Sequence, residues 1–422
     1  MHAKWYVGIL VILGGVPAFG QFSGSVSADL GAHQNPLYNY EMLSDQVHQA
    51  MVDLQYLSEG PRSQIGIRYL GALMLFNRFE ERNYLEHALS ARFTTVFGSL
   101  PPARQAAEEE EEEESEVPPG VLPDSSLSSL VVAVKGSARY DKAAFETYDN
   151  SGLELMGAYR FPVWQGGFIR LINQAGYRSY PNLTVLSNLM DLFTFQLGAR
   201  LGNQTEIGGR ASAGLKHFTT ASYDTSLIDA QSTQSAGHGK KGKGGGQVAG
   251  GKQKKILANA TASDSYHAAL GLYAVRLWPT GSLRVELLYT FTPGSGGRYL
   301  AQYAQSSVLS SDIYNDYFSY AGPSLGVTVS QSVVYGIQTT LGVEWGRRQF
   351  VAPALDLDGN VIAGQRKDTR SGFDLSLSKY FELGGALGLD MTLSGSLLRN
   401  RSNDDYNDYS ASGISLSLGL GF

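Results

Sequence analysis

The residues of this chain whose types and spacing could do chemistry are a few serine, aspartate and glycine motifs and seven histidines. Gly322-Pro323-Ser324-Leu325-Gly326 fits the G-x-S-x-G pattern of a hydrolase nucleophile elbow, which needs a strand, a sharp turn and a helix to expose the serine. The alternating Leu325, Val327 and Val329 continue as a strand instead, so the motif is set aside. The run from Gly237 to Lys243 looks like a phosphate loop, but Gly244 stands where Ser or Thr would hold magnesium. Asp356, Asp358 and Asn360 begin like a calcium loop, yet Val361 fills the glycine turn position and Lys367 replaces the bidentate glutamate, so a hairpin turn is expected. His33, His48, His87, His217 and His267 all fall near the same ends of extended segments, where a Ser/His pair facing lipid would suit a phospholipase. No spacing supplies a third, orienting group. Without cysteine there are no disulfides or thiolate metal sites, and no motif calls for a cofactor or a metal.

The elements that would position such residues are strands. In 413 to 422, Ile414, Leu416, Leu418, Leu420 and Phe422 share one face of an extended chain, opposite Ser415, Ser417, Gly419 and Gly421. The same period of two runs through 283 to 291 (Leu283, Val285, Leu287, Tyr289, Phe291), 335 to 345 (Tyr335, Ile337, Thr339, Leu341, Val343, Trp345) and 387 to 397 (Leu387, Leu389, Met391, Leu393, Leu397). These stretches exceed the five or six residues usual for a soluble sandwich. Hydrophobic content is 43% and the formal charge −6. A transmembrane barrel, in which alternate residues face lipid, has such a composition; the mild acidity argues against a nucleic-acid partner.

Short connections recur at every second position, at Glu59–Ser63, Pro162–Gly167, Gly202–Thr205, Pro279–Ser282, Gln331–Ser332 and Glu382–Gly385. This asymmetry predicts an all-β, antiparallel up-and-down transmembrane β-barrel of about sixteen strands, with both termini at the end of the short turns. The first strand is expected near 22 to 38 and the second near 44 to 58; fourteen strands is the alternative if 22 to 58 forms a plug. Residues 1–20, with Lys4, an apolar run from Trp5 to Val16 and small Ala18 and Gly20, read as a secretory signal. Residues 21–422 then form a single barrel interrupted twice. An acidic insertion at 101–127, with Glu108 to Glu114 unbroken between prolines, is expected to be disordered. A Gly/Lys-rich loop at 221–262 carries Lys240, Lys241, Lys243, Lys252, Lys254 and Lys255 and could touch lipopolysaccharide phosphates.

With its leader, periodic strands with aromatic ends and a final strand closing on Phe422, the chain resembles Gram-negative outer-membrane β-barrel proteins of porin size. The opening QFSGSVSADLGAHQNPLYNY with Ser44-Asp45 resembles porins of exopolysaccharide loci. The first resemblance implies location in the bacterial outer membrane, contact with the lipid bilayer, and recognition of Leu416, Leu418, Leu420 and Phe422 by the barrel-assembly machinery.

Charged residues opposite the apolar faces should line a lumen, because an Arg or Lys facing lipid at the midplane costs roughly 2 to 4 kcal/mol. The cations assigned inward are Arg68, Arg92, Lys135, Arg139, Arg160, Arg170, Arg178, Arg200, Arg210, Lys216 and Arg284. The anions are Glu86, Glu154, Glu206, Glu286, Glu344, Asp374 and Asp390. The cationic surplus predicts a porin-like passive channel for small polar solutes with a modest anion preference. A closed structural or export-associated barrel that docks partners is the second reading, and a lipid-modifying enzyme at the rim the third.

Overall fold

A computed structural model describes residues 20–36, 43–98, 127–202, 204–220, 264–293, 318–357 and 361–422. The residues 1–19, all but Leu127 of the acidic insertion and the whole of 221–262 lie outside this set. Sixteen strands form one closed antiparallel barrel: β1 (Gly20–Gln34), β2 (Ser44–Glu59), β3 (Ser63–Phe76), β4 (Tyr84–Phe97), β5 (Ser128–Asp141), β6 (Asn150–Trp164), β7 (Gly167–Ser179), β8 (Asn188–Leu201), β9 (Thr205–Phe218), β10 (Asp264–Trp278), β11 (Gly281–Phe291), β12 (Tyr320–Ser332), β13 (Gln338–Leu355), β14 (Val361–Gly384), β15 (Leu387–Ser402) and β16 (Tyr409–Gly421). Each strand pairs with its chain neighbours, and β16 returns to β1, with Leu420 opposite Val26 and Leu416 opposite Leu30. Closure leaves no open edge, the condition for strands to cross a bilayer.

The register carries the apolar period around the wall. Val26, Val52, Leu73, Leu89, Val132, Leu155, Phe193, Leu270, Leu287, Leu325, Val343, Phe373, Leu393 and Leu418 all point outward and are exposed, an apolar belt suited to lipid. β1 and β2 are full members of that wall, so the fourteen-strand alternative does not hold. β1 ends at Gln34 instead of 38, and Asn35 follows with φ 58° and its side chain buried.

Turns crowd one end of the barrel, with glycine where the backbone needs positive φ, as at Gly166 and at Gly384 and Gly385. The turn expected at Gln331–Ser332 is displaced. β12 runs on to Ser332 and β13 starts at Gln338, so Tyr335 and Ile337 belong to the turn and not to a strand. Tyr335 sits at φ 60°, unusual for a bulky residue, and apolar alternation alone concealed this break.

The opposite, loop end is packed. Val47, Met74, Phe76 and Tyr84 form an inward apolar cluster closed by Phe79. The Asp45 carboxylate accepts from the backbone N–H of Arg78 (2.7 Å) and Phe79 (3.2 Å), tying the loop after β3 to β2. Asp404, in the loop before β16, likewise accepts from the Leu355 N–H at 3.0 Å, and burial pushes its carboxyl above the ordinary aspartate range.

Among the outward pairs that depart from the apolar rule is one on β7 and β8. Asp191 stands between Leu189 and Phe193 on β8 and accepts a 2.7 Å hydrogen bond from the Asn173 amide on β7. Because a carboxylate facing lipid is unfavourable, Asn173→Leu with Asp191→Leu is expected to raise the temperature at which the folded band is lost on a heat-modifiability gel. A lower temperature would mean that the pair has another structural role.

Candidate functional site: the charged interior

Pleating sends alternate residues inward, and register decides which of them meet. By that register Arg68, Arg92, Lys135, Arg139, Arg160, Arg170, Arg178, Arg200, Arg210, Lys216 and Arg284 occupy the face opposite the apolar belt, as do Glu86, Glu154, Glu206, Glu286, Glu344, Asp374 and Asp390. Inward charges that alternation within one strand did not single out join them: Asp29, Asp45, Asp53, Asp141, Asp368, Arg348, Arg366 and Arg370. With Glu59 and Glu382 on the same inner face at the turn end, seven added carboxylates against three guanidiniums cancel the cationic surplus.

These groups sort by height. Near the loop end they are buried and tightly paired. Arg139 holds Asp141 through two 2.7 Å hydrogen bonds, lies 3.9 Å from Glu86 and stacks 3.8 Å over the Tyr84 ring. Across the barrel Arg366 binds Asp368, which also accepts from Asn400 (3.2 Å) and Ser402 (2.7 Å), while its guanidinium covers Phe350 at 4.0 Å. Arg178 reaches Glu154 at 3.2 Å, and Lys216 stands over Phe218 and Phe318. The side chains of Glu86 and Asp368 are 2% and 1% exposed.

Further in, the pairs are more exposed. Arg68 binds Asp53, Arg210 binds Glu286 at 2.6 Å with Arg284 at 3.4 Å, and Arg370 binds Glu344 at 2.7 Å. The Arg68, Arg284 and Glu344 side chains are 54%, 59% and 47% exposed although they point into the barrel.

Toward the turn end the inner wall carries a shelf built on glycine. The Phe168 ring lies against Gly198 and the Tyr273 ring against Gly208, positions where any Cβ would collide. Arg160 covers Phe168 at 3.9 Å, Tyr273 donates to Glu206 at 3.1 Å, Arg170 neighbours Arg160 and Arg200 stands opposite Glu206.

The inward cations that make no ion pair among the described residues include Arg92, Arg160 and Arg170, on β4 to β7. Carboxylates that make no ion pair there include Asp374, Asp390 and Asp29, on β14, β15 and β1. In the sixteen-strand ring Arg160 and Arg170, on β6 and β7, stand seven or eight strands from Asp374 and Asp390, on β14 and β15, so these charges of opposite sign face one another across the interior, while Asp29 on β1 is three strands from Arg92 on β4.

The histidines divide. His33 and His267 point inward, His48, His87 and His217 outward. Three of them have polar side-chain contacts, the Tyr69 hydroxyl on His87 (2.7 Å), Asp264 on His217 (2.7 Å) and Ser212 at 3.4 Å from His267. Ser324 lies within β12 opposite Leu288 and Gly346, a strand geometry without an elbow. Among the described residues no cluster of His, Asp or Glu suits a metal ion.

No family model and no curated protein matches the sequence. Solved structures to which the chain is similar include the outer membrane protein OpdK from Pseudomonas aeruginosa (12% identity, 95% of this chain and 99% of that chain, TM-score 0.46). Others are OccK8 (OprE) from Pseudomonas aeruginosa (10%, 96% and 98%, 0.45) and OccAB3 from Acinetobacter baumannii (11%, 96% and 100%, 0.44).

Proposed function

We propose that the chain is a passive channel of the outer membrane for small polar solutes. The observation that carries the reading is the half-exposed state of inward Arg68, Arg284 and Glu344, since charged side chains in a filled core would be stripped of water. Hydrated ionic pairs on an inner wall are how a protein makes an aqueous path through a layer that excludes ions. The opposed walls add a transverse field in a space with low-dielectric sides, which orients dipolar solutes. Anion preference is modest on this reading, because Asp374, Asp390 and Asp29 offset Arg92, Arg160 and Arg170.

Recordings from the refolded protein in planar bilayers test the proposal. Wild type is expected to give discrete openings. The variant Arg92→Gln/Arg160→Gln/Arg170→Gln should move the reversal potential in a salt gradient toward cations. The shift should be larger at low salt, because charges are screened within roughly 8 Å at physiological ionic strength. Folded, inserted protein that carries no current would overturn the channel reading and favour a closed barrel that docks partners.

A further inference from the structure

The outward faces of the strands are nearly devoid of cations. Among the described residues, Arg276 and Lys379 point outward at the turn end, and four others gather at the loop end of three adjacent strands: Arg347 on β13, Lys367 on β14, and Arg399 and Arg401 on β15. Thr369 pairs with Arg347 on one side and Arg401 on the other, so with strands about 4.8 Å apart the backbones of the two arginines are about 10 Å from each other with Thr369 between them. One row lower, Ser371 lies between Trp345 and Arg399, and Lys367 stands opposite Gln349. Arg399 is held by Asp408 at 2.7 Å. Arg347, Lys367 and Arg401 are exposed and make no ion pair among the described residues.

Directly below, the same wall turns apolar and is grooved. Phe373, Leu397 and Ser412 form the next row, and beneath it Gly395 sits between Leu375 and Ile414, a gap in the belt where a side chain is missing. The whole arrangement is a cationic head above an oily slot, on the surface that faces lipid.

We infer that this face binds an outer-leaflet lipid with a phosphorylated headgroup, of the lipid A type that anchors lipopolysaccharide. Its phosphate would be held by Arg347, Lys367 and Arg401 with Arg399, and an acyl chain would lie along the Gly395 slot. Charge complementarity selects the headgroup, because basic residues are stabilised beside an anionic membrane surface and guanidinium forks match phosphate oxygens. Height selects the amphiphile over a soluble anion, because the cations stand at the edge of the apolar belt. These residues are distinct from the lysines of 221–262. The inference rests on the barrel lying in a bilayer and not on its conductance.

The test compares detergent-purified barrel incubated with lipid A, with lipid A lacking its phosphates, and with inorganic phosphate as competitor, reading bound lipid by native mass spectrometry. Wild type should retain lipid A and not the dephosphorylated form, and phosphate at equal concentration should not displace it. At about fivefold per cation, Arg347→Gln/Lys367→Gln/Arg401→Gln should weaken retention roughly 100-fold, while the turn-end control Arg276→Gln/Lys379→Gln retains lipid as wild type does. Equal retention of the dephosphorylated lipid, displacement by inorganic phosphate, an unaffected triple variant or an equal loss in the control would each overturn it. Heat-modifiable mobility confirms that the variants are folded, and a barrel without conductance leaves this test intact.

Discussion

Leu418→Asp together with Leu420→Asp is expected to abolish the barrel. Both side chains face outward on β16, between Met391 and Leu389 of β15 and Ala28 and Val26 of β1. Two carboxylates there would sit in the belt meant for hydrocarbon. β16 is also the strand that closes the ring; without its pairing, β1 and β15 would each expose a row of N–H and C=O groups that lipid cannot satisfy, at several kcal/mol per group. The closure is sealed at the turn end, where Phe422 exchanges two 2.9 Å backbone hydrogen bonds with Gly24 and lays its ring over that glycine. Loss of heat-modifiable mobility and of membrane-inserted protein is the expected readout. Phe422→Ala, which keeps the backbone bonds and the apolar face, should have a smaller effect. Normal mobility and yield in the double variant would refute this account of closure and the proposed assembly role of Leu416, Leu418, Leu420 and Phe422.

Arg139→Met is expected to cost about 3 to 5 kcal/mol, because it strands the buried carboxylates of Asp141 and Glu86 without their common cation. Arg68→Met removes an equally direct contact to Asp53, but that pair is half in water and should be worth less than about 1 kcal/mol. Urea unfolding followed by tryptophan fluorescence in detergent distinguishes the two. Adding Glu86→Gln and Asp141→Asn to Arg139→Met should recover part of the loss, since neutral amides remove the uncompensated charge. Equal losses for Arg139→Met and Arg68→Met would mean that the loop end is as open to water as the middle, contrary to its packing.

Period and turn spacing made the barrel legible before any coordinates. Wherever a strand is flanked by lipid, as in Leu283 to Phe291 or Ile414 to Phe422, only one phase of the alternation is tolerable, so the inward residue can be read from its neighbours. The reading failed where that constraint lapses. β14 begins Val361-Ile362-Ala363-Gly364-Gln365-Arg366-Lys367-Asp368-Thr369-Arg370, a stretch at the loop end with polar residues on both faces, and there the inward Arg366, Asp368 and Arg370 escaped notice. β2 mixes Gln46 and His48 with Asp45 and Gln49, which hid Asp45 and Asp53 in the same way. Val333, Val334 and Tyr335 continue an apolar pattern through a turn, and nothing in their side chains announces the left-handed backbone at Tyr335.

By itself, then, the sequence determined the class of fold, the membrane-facing side of most strands and the phase of closure, because lipid penalises the wrong face at each residue independently. Tertiary structure alone decided which charges meet. Arg210 and Glu286 are far apart in the chain, as are Arg347 and Arg401, and what brings each set together is the register between strands and the stagger of a closed sheet, a property of all sixteen strands at once. It also decided which pairs keep their water. That depends on the distance to the opposite wall and on the loops packed over one end, which no local pattern encodes.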